Sequence, residues 1–176
     1  MDNNKVATIY NGDKKIITTE DNTYEAKSVI IACGAKHRRL KIENEEKFIG
    51  DGISFCAVCD GAFYADKTVA LIGGGNSALQ EAVLLSDVCK KVYIVQNLAF
   101  LTGEDRLQDI LKSKDNVEII CSSVVHQIPD GEELKSIVIQ NTDDSSLRTL
   151  EIDGMFIAIG LEPENSSFSN VCDLDS

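Results

Sequence analysis

The first forty residues alternate between short apolar runs and clusters of turn residues. Asn, Gly and Asp at residues 11–13 and Glu, Asp and Asn at residues 20–22 separate runs rich in β-branched side chains. This spacing predicts an antiparallel meander, because each cluster can reverse the chain and each run is long enough for a strand. The last run is continuously apolar and is predicted to be a buried strand. The three predicted strands are residues 6–10, 16–19 and 28–32.

From residue 68 onward the pattern changes to alternating strands and helices. A β-branched run at residues 68–72 precedes three glycines, and apolar residues then recur at helical spacing from Ala78 to Val88. The further predicted elements are strands at residues 92–95 and 117–121, a helix at residues 105–112, and strands at residues 124–128, 137–140, 147–151 and 155–159. A strand–helix–strand unit followed by a meander predicts an α/β fold with a layered, Rossmann-like FAD/NAD(P)-binding domain.

Composition excludes two classes of partner. Asp and Glu outnumber Lys and Arg by 29 to 17, and the net charge of −12 would repel nucleic acid and anionic membranes. Hydrophobic residues make up 43% of the 176, which is enough for a core, and Cys33, Cys89 and Cys121 are predicted to lie buried in it as free thiols. There is no signal peptide and no apolar stretch of ~20 residues, so we expect a soluble, cytoplasmic protein.

Two cysteines stand three residues apart in the sequence CAVCD. At this spacing one thiolate, of Cys56 or Cys59, can attack a bound disulfide and the other can resolve the mixed disulfide. Asp60 follows directly, and a carboxyl beside a dithiol can protonate the leaving thiolate. A zinc half-site and a pair of buried small side chains are the alternatives. Zinc would need two more ligands, and His37, His126 and the scattered cysteines include no second close pair, so no metal site is predicted.

A glycine-rich turn, GGGNSA, joins the strand at residues 68–72 to the following helix and fits the pattern G-x-G-x-x-A. Gly73 permits the sharp turn, Gly75 lets the backbone approach a pyrophosphate, and Ala78 lets the helix pack closely on the strand. The helix N-terminus then directs free N–H groups toward the anion. The alternative is a turn of the same shape without a ligand. The predicted cofactor-binding residues of the turn are Gly73, Gly74, Gly75, Asn76, Ser77 and Ala78.

The residues after the next strand decide which nucleotide binds. Proteins that bind NAD carry Asp or Glu there for the ribose hydroxyls, and proteins that bind NADP carry Arg for the additional phosphate. This chain has Gln96, Asn97 and Leu98, and neither charge is present. Gln96 is therefore the candidate for ribose recognition.

The combination of these motifs resembles the low-molecular-weight thioredoxin reductases. The run ISFCAVCDGAFYADKTVALIGGGNSA at residues 53–78 is similar to the dithiol and nucleotide turn of that family, and ACGA at residues 32–35 and FIAIGLEP at residues 156–163 resemble its flanking motifs. The resemblance implies an FAD-binding domain interrupted by a pyridine-nucleotide domain that carries the dithiol. The implied parts are residues 1–45 and 163–176 in the FAD-binding domain and residues 46–162 in the pyridine-nucleotide-type domain.

The resemblance also assigns roles to individual residues. It implies that Cys59 faces the flavin, that Cys56 attacks the disulfide of thioredoxin, and that Asp60 is the acid. It further implies a homodimer for the full-length protein. The cofactor contacts that it adds are Gly34, Ile159 and Gly160.

Two departures from the family bear on its cofactors. The first G-x-G-x-x-G and the closing G-D segment of the FAD domain are absent, so we expect the chain alone to bind FAD poorly or not at all. The H-R-R phosphate clamp is replaced by residues 96–98 and Thr102, which weakens the expectation of NADPH dependence. The alternatives are NADH, with ribose recognition by Gln96, and reduced ferredoxin, since the loss resembles the ferredoxin-linked flavin thioredoxin reductases.

The basic run at residues 36–39 is interpreted as a solvated linker, with a ferredoxin-steering patch as the alternative.

Two other functions stay open at this point. The reductase subunit of an alkyl hydroperoxide system has a similar core and would carry an additional thioredoxin-like domain upstream. A non-catalytic module that keeps the nucleotide-binding fold would tolerate serine at Cys56 and Cys59, whereas a reductase would lose turnover.

Overall fold

The chain forms two compact units. A computed structural model describes residues 6–174. The first unit combines the described residues up to Lys36 with those from Leu161 onward, and the second extends from His37 to Gly160. These limits differ from the predicted boundaries after residues 45 and 162, because Leu40 and Ile42 already pack against the core of the second unit. The assignment of the segments to FAD-binding and nucleotide-binding domains stays a prediction.

Short strands dominate both units. The strands are β1 (Val6–Asn11), β2 (Lys15–Thr19), β3 (Thr23–Ala26), β4 (Ala35–His37), β5 (Ile53–Ser54), β6 (Thr68–Ile72), β7 (Lys91–Val95), β8 (Val117–Ile120), β9 (Ser123–Gln127), β10 (Ser136–Asn141), β11 (Leu147–Glu151), β12 (Gly154–Ile157) and β13 (Leu161–Pro163). The α-helices are α1 (Glu45–Phe48), α2 (Ala57–Asp60), α3 (Asn76–Val88) and α4 (Asp105–Lys112), and the 3-10 helices are Gly61–Tyr64 and Ser166–Phe168. From residue 68 onward, every predicted strand is confirmed to within two residues.

Three antiparallel strands form the main sheet of the first unit, in the order β1-β2-β3, and β4 pairs with β13 separately. The predicted buried strand at residues 28–32 is wrong, since this segment has no regular structure and Ile30 is 91% exposed. A strand needs a neighbour for its backbone N–H and C=O groups, and no described strand pairs with this run. The third strand is instead β3, which was not predicted because its residues are mostly polar and form no apolar run.

A five-stranded parallel sheet is the centre of the second unit, in the order β5-β12-β6-β7-β8. β6 is almost entirely buried and apolar, as expected for a strand that is covered on both faces. One apolar cluster joins β6 to α3 through Leu79 and Leu85, and a second joins the sheet to the β9–β11 meander through Ile137 and Leu150. The predicted α/β class with a Rossmann-like core is confirmed.

Three details of this architecture bear on the predicted residues. β12 ends at Ile157, so Ile159 lies in the loop that follows the strand. Cys89 is buried and Cys121 is half-buried, but Cys33 is exposed because the segment before it forms no strand. Within residues 6–174, no helix is long and apolar enough to cross a membrane.

Candidate functional site

Both candidate motifs begin at one edge of the parallel sheet. α2, with the cysteine pair, follows β5, and the glycine-rich turn follows β6. β5 and β6 both pair in parallel with β12, so the carboxyl ends of all three strands lie at the same edge. Ala57 of α2 packs in one apolar cluster with Ala78 and Ala82 of α3. Loops at this edge of open α/β sheets commonly form binding sites.

Cys56 and Cys59 form a disulfide across the turn of α2, with their Cα atoms 5.3 Å apart. Cys56 is the N-cap residue of the helix, and its sulfur accepts a hydrogen bond from the backbone N–H of Cys59 at 3.1 Å. Cys59 is exposed, and Val58 and Phe63 beside it are 79% and 73% exposed. Cys59 is therefore accessible to a large partner and has exposed apolar side chains near it in the sequence, whereas Cys56 is half-buried. The described residues contain no group of three or more His, Cys, Asp or Glu side chains that could hold a metal ion.

Ser54 links the cysteine pair to Asp60. Its hydroxyl donates to Asp60 Oδ2 at 2.5 Å, and the same oxygen accepts the backbone N–H of Cys56 at 3.1 Å. Ser54 is buried at the end of β5, in register with Phe156 of β12. Ser54 is not among the residues predicted from the sequence, although a hydroxyl two positions before the first cysteine was the available signal.

A second carboxylate contacts α2 from α3. Glu81 Oε2 accepts the backbone N–H of Ala57 at 3.3 Å. Burial between the helices raises the pKa of the Glu81 carboxyl, while the Ala57 hydrogen bond and the charge of His37 act in the opposite direction on that pKa. Sequence analysis also missed Glu81, because the pattern does not distinguish it from exposed polar residues of α3 such as Gln80.

Close packing requires two of the three glycines in the turn. Gly73 has a φ of +133°, and a Cβ atom there would lie 2.4 Å from the backbone oxygen of Ala158. A Cβ atom at Gly74 would lie 2.6 Å from the side chain of Gln96. Gly75 is the N-cap of α3 and has open space, since the nearest atom to a Cβ there is Thr102 Oγ1 at 3.8 Å. The turn therefore leaves room for an anion at the start of α3.

An open cavity of about 680 Å³ lies over this turn. The predicted cofactor residues that line it are Gly73, Gly74, Gly75, Asn76, Ser77, Ala78, Gln96, Ile159 and Gly160. Gly34 is not among the lining residues and lies in the first unit, where its φ is +77°. The volume is within the range of roughly 300–1,000 Å³ that small-molecule sites occupy. The structure thus brings together all the predicted cofactor residues of the second unit.

Gln96 lines the cavity with a side chain that is largely buried. Its side chain is 5% exposed, and its Nε2 donates to the backbone oxygen of Phe100 at 3.4 Å. The loop that follows is fixed against the turn by a hydrogen bond from Thr102 N to Gly74 O at 2.9 Å. Residues 96–102 contain no Lys or Arg, so this loop offers no cation to a phosphate.

Two arginines from the segment before α1 line the same cavity. Arg38 N donates to the backbone oxygen of Gly160 at 3.0 Å, which fixes the segment beside the loop after β12. The Arg39 guanidinium lies 4.8 Å from the centroid of the Phe55 ring, and the His37 ring stacks on Phe55 at 5.0 Å. The prediction of a solvated linker is therefore wrong for Arg39, whose side chain packs on the residue before Cys56.

One family model matches the chain along nearly its whole length. The model of the pyridine nucleotide-disulphide oxidoreductases matches residues 1–174. The chain belongs to this family. The family name joins the two features found at the sheet edge, a nucleotide-type turn and a disulfide.

Curated relatives point to one group within this oxidoreductase family. A 34.2 kDa protein in the rubredoxin operon of Clostridium pasteurianum is 40% identical over 158 residues, which are 90% of this chain and 51% of the relative. The thioredoxin reductase of Listeria innocua is 38% identical over 155 residues, or 88% of this chain and 49% of the relative. The chain spans about half the length of the curated relatives it matches. The resemblance to the thioredoxin reductases is confirmed.

Solved structures agree with this grouping. Thioredoxin reductase from Lactococcus lactis, in its FR conformation, matches with a TM-score of 0.85 and 34% identity over 98% of this chain and 57% of that one. A ferredoxin-flavin thioredoxin reductase from Clostridium acetobutylicum matches with a TM-score of 0.55 and 31% identity, over 88% of this chain and 49% of that one.

Proposed function

We propose that the chain is the dithiol-bearing part of a thioredoxin-disulfide reductase, in which the Cys56–Cys59 pair passes two electrons to the disulfide of thioredoxin or a similar small protein. The observation that carries this proposal is the disulfide at an exposed helix turn, tied through Ser54 to the carboxyl of Asp60. The apolar side chains beside Cys59 favour a protein partner over a small polar one.

The exchange follows ordinary thiol–disulfide chemistry. In the reduced chain, the Cys56 thiolate attacks one sulfur of the partner disulfide, which breaks that S–S bond and forms a mixed disulfide. The leaving partner thiolate takes a proton, and the relay of that proton is assigned to Asp60 as part of the proposal. Cys59 then loses its proton, and its thiolate attacks Cys56 Sγ, which breaks the mixed disulfide and restores the Cys56–Cys59 disulfide. The second partner sulfur leaves as a thiolate and takes up the proton that Cys59 gave up. Two electrons and two protons pass from the dithiol to the partner.

FAD is proposed for the longer protein and not for this chain. The only turn of the dinucleotide type among the described residues is the one at residues 73–78, in the second unit. The first unit, which the resemblance assigns to the FAD-binding domain, presents no glycine-rich turn in its described residues. The residues present therefore do not fit FAD.

The cavity of the second unit fits a pyridine nucleotide. Gly75 leaves space for a pyrophosphate at the start of α3, and Arg38 lines the cavity. Nη1 of Arg39 is buried and has no hydrogen-bond partner among the described residues, although Glu46 Oε1 forms an ion pair with it at 4.0 Å. A bound nicotinamide would supply a hydride to the complete enzyme. Because the loop after β7 carries no cation, we propose that the site does not discriminate strongly between NADPH and NADH.

Reduced ferredoxin is the second proposed donor. It is supported by the likeness to the ferredoxin-flavin thioredoxin reductase and by the missing cations at residues 96–98. Anaerobic flavin reduction in the longer protein, with NADPH, NADH and reduced ferredoxin in parallel, distinguishes the donors. Rapid bleaching by micromolar NADPH alone would contradict the proposed lack of discrimination. A homodimer and a cytoplasmic location stay predictions for that protein.

The proposed function is tested by stoichiometric electron transfer from the chain itself. The chain is reduced with dithiothreitol, freed of reductant and mixed with oxidised thioredoxin, whose new thiols are counted by alkylation and mass spectrometry. We expect one reduced thioredoxin per chain, and none with Cys56→Ser or Cys59→Ser. Cys172→Ser removes an exposed cysteine outside the pair and serves as the control. Transfer that survives both serine substitutions would refute the function.

A further inference from the structure

We propose that Glu81 tunes the cysteine pair: its carboxylate, bound to the peptide N–H that joins Cys56 to Ala57, disfavours the Cys56 thiolate and keeps the reduced pair a strong electron donor. Glu81 is thus a positioning residue that acts through α2. The inference rests on the proposed dithiol chemistry of Cys56 and Cys59. It adds that Glu81 helps to set the driving force for electron transfer from this dithiol.

The backbone N–H groups around Cys56 have different acceptors. N–H groups in the first turn of a helix that bears a C-x-x-C pair ordinarily stabilise the thiolate of the first cysteine. In this chain the N–H of Cys59 donates to Cys56 Sγ at 3.1 Å, but the N–H of Ala57 donates to Glu81 Oε2 at 3.3 Å. The Glu81 carboxylate is therefore bound to the peptide group that directly follows Cys56, where its negative charge opposes a thiolate on that residue.

Charged groups of both signs lie near the pair. The titratable groups that face α2 and its surroundings are Asp60 on α2, Glu81 on α3, Tyr64 on the 3-10 helix and His37 before α1. The two carboxyls face the imidazole of His37 and the guanidinium of Arg39, which packs on Phe55. Tyr64 is neutral, since burial first and the charges of Asp60 and Asp51 next raise its pKa. Glu81 is half-buried, so its charge is screened less than a surface charge would be.

Glu81 and Asp60 reach different donors on consecutive residues. Asp60 acts through Ser54 on the N–H of Cys56, whereas Glu81 binds the N–H of Ala57 directly. Asp60 is therefore the carboxyl suited to relay a proton. Glu81 is suited to set the acidity of the thiol, because its carboxylate accepts a backbone hydrogen bond from the residue next to Cys56.

The test compares Glu81→Gln with Asp87→Asn in the reduced 176-residue chain. Glu81→Gln removes the charge and keeps the shape, and Asp87→Asn removes a carboxylate of the same helix that pairs with Lys114 instead. Alkylation of Cys56 by iodoacetamide is followed from pH 6 to pH 10 and located by peptide mass spectrometry. In Glu81→Gln we expect the pH midpoint of Cys56 alkylation to fall by about half to one pH unit, which is a three- to tenfold larger acid constant. In Asp87→Asn we expect the midpoint to stay unchanged.

The equilibrium with dithiothreitol gives a second readout. Reduced dithiothreitol gives two electrons and two protons to the Cys56–Cys59 disulfide, which yields the chain dithiol and cyclic oxidised dithiothreitol. In Glu81→Gln we expect the equilibrium to move toward the chain dithiol by the same three- to tenfold at pH 9, or about 14 to 30 mV. At pH 6 we expect little change, because the thiols are protonated in both proteins.

The outcomes separate this inference from the proposed function. An unchanged or higher Cys56 midpoint in folded Glu81→Gln would overturn the role of Glu81 while electron transfer to thioredoxin persists. A wild-type pair that never equilibrates with dithiothreitol would instead refute the proposed function. Glu81→Asp keeps the charge but withdraws it from Ala57 N, so it should give an intermediate midpoint. If Glu81→Gln does not fold, an unchanged or higher Cys56 midpoint in Glu81→Asp would overturn the role of Glu81 in the same way.

Discussion

At the scale of single residues, one buried hydroxyl organises the proposed reaction centre. Ser54 donates to Asp60 and accepts from the backbone of Cys56, so it uses both of its hydrogen-bonding functions. A buried polar group that loses its partner costs about 1–3 kcal/mol, and more when the partner is charged. Ser54 therefore connects stability and chemistry in this part of the chain.

Replacing Ser54 tests this connection. Ser54→Ala leaves the Cys56 N–H and the Asp60 carboxylate without their shared partner, so we expect a loss of about 1–3 kcal/mol in the free energy of unfolding. We also expect slower electron transfer to thioredoxin, because Asp60 loses the contact that orients it. Ser113→Ala, which removes an exposed hydroxyl, is the control for urea denaturation. A loss below about 0.5 kcal/mol with unchanged transfer would contradict the role of Ser54.

At the scale of elements, the local signals were predictable and the long-range contacts were not. The strand β6, the glycine turn and α3 follow from residues that are adjacent in sequence. Residues 28–32 have the composition of a strand, but no described strand pairs with them, and pairing cannot be read from one run alone. Glu81 and Arg39 act on positions distant in sequence, Ala57 and Phe55, so periodicity carried no information about them.

The segment before α1 and the loop after β7 make different contributions to the cavity. Arg38 and Arg39 line it with positive charge, whereas residues 96–102 carry none. A pyrophosphate is common to both nucleotides, and an additional phosphate is present only in NADP. We therefore expect calorimetric dissociation constants for NADP⁺ and NAD⁺ that differ by less than about tenfold, with both raised about tenfold or more in Arg38→Ala/Arg39→Ala.

The control for this experiment is Lys47→Ala, which removes a cation that pairs with Asp130 and does not line the cavity. It should leave both dissociation constants unchanged. A loss confined to NADP⁺ in the double arginine variant would mean that the arginines hold the additional phosphate, and the argument from the β7 loop would fail.

At the scale of the whole molecule, the two units differ in how much apolar surface they bury. Both apolar clusters belong to residues 37–160. Of the side chains that the structure describes in the first unit, Ile9 alone is a buried apolar one. Small sheets without a packed face are marginally stable in water. The first unit should therefore open far more readily than the second.

Hydrogen exchange measures this difference directly. We expect the amides of β1 to β3 to exchange at least a hundredfold faster, after correction for sequence, than those of β6 and β7, because opening free energies follow local burial. Mass spectrometry of peptic peptides or NMR of the intact chain gives both sets of rates. Equal protection of the two sheets would show that the first unit is stabilised by contacts outside its own core.

The unequal surroundings of the cysteines have a consequence for covalent ligands. Burial raises the pKa of the Cys89 thiol to about 11 and raises that of Cys121 as well, so both are poor nucleophiles at neutral pH. Cys59 instead stands at the surface beside Val58 and Phe63. An apolar fragment that carries a mild electrophile would thus find exposed apolar side chains and an accessible sulfur in one stretch of the reduced chain.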